Sequence, residues 1–258
     1  MALRLTTGGM QHDDPEEQKA ELTEHLAELR TRIIRACLYC LVGMCVMYAL
    51  FHPIYTLLAA PITGAVKHQP YNFVVTNFAD AFLIRVQISV VGGLVLAFPF
   101  VALEFWGFIA PGLTAKERRG VRLIAPFSVL LFVFGVACAF FVLPLAIRWF
   151  LSYLVDIPGL VLFQNPLTYV IFAVKMMLAF GLVFQLPVVL MFLGKVGIIT
   201  STLMKKYWRQ ITVGLFTTAM VVAPSNDPGT MLALAIPLTF LFLGSIWLVK
   251  LVEPKGSK

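Results

Sequence analysis

Residues 78–109 read FADAFLIRVQISVVGGLVLAFPFVALEFWGFI, with Asp80 and Arg85 near one end, Glu104 near the other and no charge between Arg85 and Glu104. An apolar run of this length is a membrane span, since about 20 residues suffice to cross the hydrocarbon core. At ~1.5 Å per residue it would reach roughly 48 Å against a core of about 30 Å. It must therefore tilt, bend near Pro99 or extend past the bilayer.

Working outward, further apolar runs fall at about 33–51, 121–147, 168–193, 208–223 and 230–249. With 78–109 they make six expected transmembrane helices in an all-α integral membrane protein. The span at 208–223 is at or just under the usual minimum, so local thinning of the bilayer is expected around it. The whole chain agrees: 60% of its 258 residues are hydrophobic and 13% charged, against about half and a quarter in soluble domains. The mean hydropathy is +0.89.

The formal net charge of +7 is explained by where the cations lie. Arg30, Arg32 and Arg35 form one cluster, Lys116, Arg118, Arg119 and Arg122 a second, Lys195, Lys205, Lys206 and Arg209 a third, and Lys250, Lys255 and Lys258 a fourth. Each borders an apolar run, and the alternate connections are poor in Lys and Arg. This positive-inside alternation puts both termini, 111–120 and 194–209 in the cytoplasm, and removes the charge argument for nucleic acid.

Residues 1–12 read as a disordered tail, 13–250 as a single membrane domain and 251–258 as a cytoplasmic tail. No basic, apolar leader precedes the first span, so cleavage of a signal peptide is not expected. Asp13 and Asp14, then Pro15, Glu16 and Glu17, read as a helix start. Leu22, Leu26, Leu29 and Ile33 then follow at helical spacing, so 13–32 is expected to be an amphipathic helix running into the first span. The segment after the first span carries Pro53, Pro61 and Pro70 and is expected to be an ordered external cap. The segment around Pro158, Gly159 and Pro166 is a second external connection.

Ionisable and amide groups at membrane depth draw attention because they are costly there. Glu104 and Gln185 sit at similar depth and are expected to meet inside the bundle. Either they form a buried hydrogen bond that fixes helix packing, or they serve a proton-linked or substrate-contacting role. Cys37 and Cys40 form a C-x-x-C with no second ligand pair, so no metal or cofactor is expected. No G-x-S-x-G, H-E-x-x-H, P-loop or dinucleotide fingerprint is present, and the chain does not read as an enzyme.

Three segments resemble the TatC family of the twin-arginine translocase. His25-Leu26-Ala27-Glu28-Leu29-Arg30 is similar to H-L-x-E-L-R before that family's first span. Phe105-Trp106-Gly107-Phe108-Ile109-Ala110-Pro111-Gly112-Leu113 with Lys116-Glu117-Arg118-Arg119 resembles F-I-A-P-x-L…E-R-R. Ala223-Pro224-Ser225-Asn226-Asp227-Pro228 is similar to P-x-x-D-P between the last two spans. Phe180 to Pro187 adds a weaker match. They occur in the family's order, from about residue 20 to 250.

The resemblance implies an open, concave six-helix wall in the cytoplasmic membrane of a bacterium or archaeon, exporting folded proteins by the proton-motive force. It implies that Glu28 and Glu117 contact the paired arginines of a signal peptide, with Phe108, Arg30 and Pro111 shaping the same patch and Asp227 in an external turn. It implies TatA- and TatB-like single-span partners, surrounding lipid and a homo-oligomer within a larger complex. A guanidinium fork donates paired hydrogen bonds to a carboxylate, a geometry lysine lacks. By spacing alone, Glu28 is equally placed to pair with Arg32 at i+4, and Glu117 is an ordinary acid beside Arg118 and Arg119. Many family members carry Gln at the Glu104 position and Glu at the Gln185 position, which implies one carboxyl–amide bond in mirrored form. The rival reading is a proton-coupled transporter of a small solute, against which the lack of an inverted repeat counts.

Overall fold

The structure, a computed structural model, describes residues 15–65, 71–109, 115–155, 162–223 and 227–253. It is nearly all helical. The order is α1 (Pro15–Ala49), α2 (Phe51–Ala65), β1 (Tyr71–Phe73), α3 (Asp80–Ile109), α4 (Ala115–Val155), β2 (Leu162–Gln164), α5 (Pro166–Val183), α6 (Leu186–Lys195), α7 (Ser201–Lys206), α8 (Trp208–Val222) and α9 (Pro228–Val252). Five helical stretches of the described residues are long and apolar enough to cross a membrane: His25–Ala49, Asp80–Ile109, Ile124–Tyr153, Pro166–Lys195 and Pro228–Val252. Helix α8, with 15 residues, would be about 22 Å long.

The amphipathic segment from Pro15 and the first apolar run form one continuous helix, α1, which packs along α3. Their crossing is close because two glycines meet. A Cβ on Gly93 would stand 2.5 Å from the Met44 amide nitrogen, and one on Gly43 would stand 2.6 Å from the Gly93 carbonyl oxygen. In lipid, where apolar burial does not drive helices together, such close backbone approach is the main source of association.

The segment after the first span holds a full helix, α2. Pro53 sits in its first turn, where no hydrogen bond is lost. Pro61 lies inside it and is buried between Leu58 and Ile62, themselves 5% and 3% exposed. Likewise α4 runs through Pro144 to Val155, with Leu143, Ala146, Ile147 and Leu151 all buried on its inner face. One lost backbone bond is outweighed by that packing, as is common for proline in membrane helices. Near Pro187 the 168–193 run divides, at Phe184–Gln185, into α5 and α6.

The two connections at the Asp80 end are joined by a parallel two-stranded sheet with Tyr71 opposite Leu162 and Phe73 opposite Gln164. Beside it, Asn165 caps α5 by accepting from the Leu167 amide at 2.8 Å, and its Nδ2 donates to Asp80 Oδ2 at 2.9 Å. Thr76 Oγ1 and the Asn77 amide donate to the same Asp80 oxygen. At the far end of the chain, Glu253 accepts from the amide and hydroxyl of Ser201, both at 2.8 Å, tying the end of α9 to the start of α7. Those bonds hold the Glu253 carboxyl below the usual carboxylate range.

Candidate functional site

The orientation of α3 follows from Trp106. Its indole is buried with Ala102 against Ile124, Ala125 and Val188, and it meets the Phe192 ring edge-on at 5.4 Å. Glu104 and Phe108 lie two residues to either side of Trp106, roughly 160° round the helix. The face they share with Gly107 is turned to α1.

On α1, Glu28 and Arg32 lie one turn apart. Nε and Nη2 of Arg32 donate to Glu28 Oε1 at 3.0 and 2.7 Å. Its Nη1 crosses to α3 and donates to Glu104 Oε2 at 3.1 Å. Arg35 Nη1 lies 3.8 Å from the other Glu104 oxygen. The crossing needs Gly107: a Cβ there would come within 3.1 Å of Arg32 Cζ and closer still to Nη1. One turn before Glu28, the His25 ring stacks on Phe108 with centroids 4.5 Å apart and an interplanar angle of 18°. His25 Nδ1 is 3.8 Å from Glu28 Oε2. Two carboxylates and two guanidiniums thus balance across the helix interface, with an aromatic wall beside them.

Of the residues singled out from sequence, Glu28, Phe108 and Glu104 meet here. Arg30 is exposed; two residues from Glu28, it lies on another face of α1. Pro111 lies outside the described residues, and Glu117 lies in the first turn of α4 with its side chain outside them. Asp227 caps α9: its Oδ1 accepts from the Thr230 amide at 2.8 Å, and Oδ2 accepts from the Thr230 hydroxyl.

The expected Glu104–Gln185 contact is not formed. Gln185 sits at the α5–α6 break and bonds to α4 instead, accepting from Ser128 Oγ at 2.6 Å and donating from Nε2 to the Ser128 carbonyl at 3.1 Å. Equal depth did not mean a shared face. Exchanging acid and amide between positions 104 and 185 is therefore expected to weaken two separate contacts, with no rescue in the double variant. A Gln185→Leu and Ser128→Ala cycle is expected to give a coupling of about 0.6 kcal/mol, with ~1.7 kcal/mol as the ceiling, read from unfolding in detergent. Zero coupling would remove this contact.

Sequence comparison settles what these helices belong to. The family model described as Sec-independent protein translocase protein (TatC) matches residues 24–237. This chain belongs to the TatC family. It is 34% identical over 232 residues to TatC of Desulforapulum autotrophicum, covering 90% of this chain and 84% of that one. To TatC of Carboxydothermus hydrogenoformans it is 32% identical over 241 residues, covering 93% and 97%. The chloroplastic TATC of Arabidopsis thaliana is 34% identical over 238 residues, 92% of this chain and 68% of that one. The crystal structure of the twin arginine translocase receptor TatC superimposes with a TM-score of 0.73 at 29% identity, over 88% of this chain and 99% of that chain. The chain is thus a multi-pass membrane component of a Sec-independent protein translocase. The i+4 spacing already pairs Arg32 with Glu28 but gives no sign of its bond to Glu104; His25 and Gly107 lie within the motifs without a separate role there, although Gly107 interrupts an otherwise bulky run.

Proposed function

We propose that the Glu28–Phe108 end of the bundle is the cytoplasmic docking site for twin-arginine signal peptides, and that the chain is the receptor core of the translocase. Glu28 and Glu117 would each take one arginine, with Pro111 and Arg30 at the rim. The observation that carries this is the state of Glu28: one-third exposed, beside an aromatic wall, and already shown by Arg32 to accept a guanidinium. The distribution of Lys and Arg supports a cytoplasmic location for this end and for both termini, with α8 as the fifth of six passages. TatA- and TatB-like subunits, assembly with further copies and drive by the proton-motive force belong to the same proposal, in a bacterial or archaeal cytoplasmic membrane. Nothing in the fold supports the small-solute transporter.

The test is binding of a twin-arginine signal peptide and its twin-lysine counterpart to the protein in nanodiscs, at two salt concentrations. Glu28→Gln is expected to narrow the preference for arginine about tenfold, the scale of a charge-assisted hydrogen bond at a partly exposed site. Glu117→Gln is expected to act in the same direction. Equal binding of both peptides by the parent chain would overturn the proposal.

A further inference from the structure

The Glu28 carboxylate already holds an arginine, and it does so through one oxygen. Nε and Nη2 of Arg32 both donate to Oε1, while among the described residues Oε2 has the His25 ring at 3.8 Å as its neighbour. The third nitrogen, Nη1, donates to Glu104 Oε2 at 3.1 Å and reaches the Glu104 carbonyl at 3.4 Å. One guanidinium is thus divided between two carboxylates on different helices. A second guanidinium gripping Glu28 in the fork geometry, one N–H to each oxygen, needs both oxygens. An ammonium needs one acceptor and fits on Oε2 with nothing displaced.

We propose that Arg32 is an internal placeholder on Glu28, displaced by an incoming arginine, and that Glu104 keeps the displaced guanidinium paired. This rests on Glu28 being the arginine-binding carboxylate. Exposure is graded in the required direction. The side chains are 33% exposed at Glu28, 24% at Arg32 and 14% at Glu104. A ligand from solvent meets Glu28 first, and Arg32 withdraws inward.

Without Glu104 the exchange would strand a partly buried cation, which is costly. With it, one ion pair is traded for another and no charge is orphaned. Arg35 reduces the local excess of negative charge on Glu104 but stands too far, at 3.8 Å, to fill its hydrogen-bonding sites. Gly107 leaves the space through which the guanidinium crosses. Arg32 and Glu104 are therefore positioning residues: they set the affinity of Glu28 for arginine without touching the ligand.

The experiment titrates twin-arginine and twin-lysine signal peptides into the full chain in nanodiscs, as parent, Arg32→Gln, Glu104→Gln and Glu28→Gln. Arg32→Gln is expected to bind the arginine peptide about two- to fivefold tighter, the scale of breaking a partly exposed ion pair, and the lysine peptide unchanged. Glu104→Gln is expected to bind the arginine peptide several-fold more weakly. In the unmodified chain, the Nε–H resonance of Arg32, labelled with nitrogen-15, is expected to move on adding the arginine peptide and to stay in place with the lysine peptide. That signal does not depend on any variant folding. If Arg32→Gln binds no tighter and the resonance does not move, the exchange is wrong. The receptor proposal then survives only if Glu28→Gln still removes the arginine preference. If Glu28→Gln keeps the full preference, both fall.

Discussion

A Gly93→Val chain is expected to lose the α1–α3 seam, with the thermal midpoint in detergent falling by about 5–10 °C and the arginine preference of the site lost with it. The two nearest neighbours of a Cβ at 93 are backbone atoms, the Met44 nitrogen at 2.5 Å and its Cα at 2.7 Å, which cannot swing aside as a side chain does. The only relief is to separate the helices. Little else would hold α1, since just 6% of its apolar stretch is buried inside the structure. Glu28 and Arg32 would move with it, away from Glu104 and Phe108. Gly92→Ala is the control. Its Cβ meets only the flexible Met47 side chain, at 3.2 Å and beyond, and a small loss is expected. Equal midpoints for the two variants would mean that the helices are not seated this closely.

The same seam shows what could be read from sequence. The apolar run 78–109 carries one helix, α3 from Asp80 to Ile109, and is legible because hydrophobic length in a membrane is set by the solvent and needs no knowledge of neighbours. The segment after the first span reads only as an ordered cap; the buried neighbours Leu58 and Ile62 show why a helix, α2, persists through its prolines. The β1–β2 pairing joins segments of three residues each, too short for any periodic signal. At the site, Glu28 and Phe108 were legible because local motifs carry them. The Arg32–Glu104 bond spans 72 residues and depends on the rotation of α3, which Trp106 sets by packing against Val188 and Phe192. That rotation also separates Glu104 from Gln185. Depth along a helix can be counted in sequence, but azimuth is decided by what the opposite face buries.

Glu104→Leu tests that azimuth most directly. Removing this carboxylate leaves Arg32 with Glu28 alone and Arg35 with no acid within 4 Å among the described residues. Breaking a fully buried pair costs about 3–5 kcal/mol; here Arg32 retains one partner and is a quarter exposed, so about 2 kcal/mol is expected. The sign reverses when the cation is removed as well. Arg32→Leu with Glu104→Leu replaces the crossing by apolar contact, and the freed Glu28 is exposed enough to be solvated. The double variant is therefore expected to recover most of the stability lost by Glu104→Leu. Thermal unfolding of the single and double variants in detergent decides it. Recovery locates the cost in the stranded guanidinium, and so supports Glu104 as the anchor that keeps Arg32 paired. Equal losses would place it in the packing of Glu104 itself, and the bond from α1 to α3 would have no energetic weight.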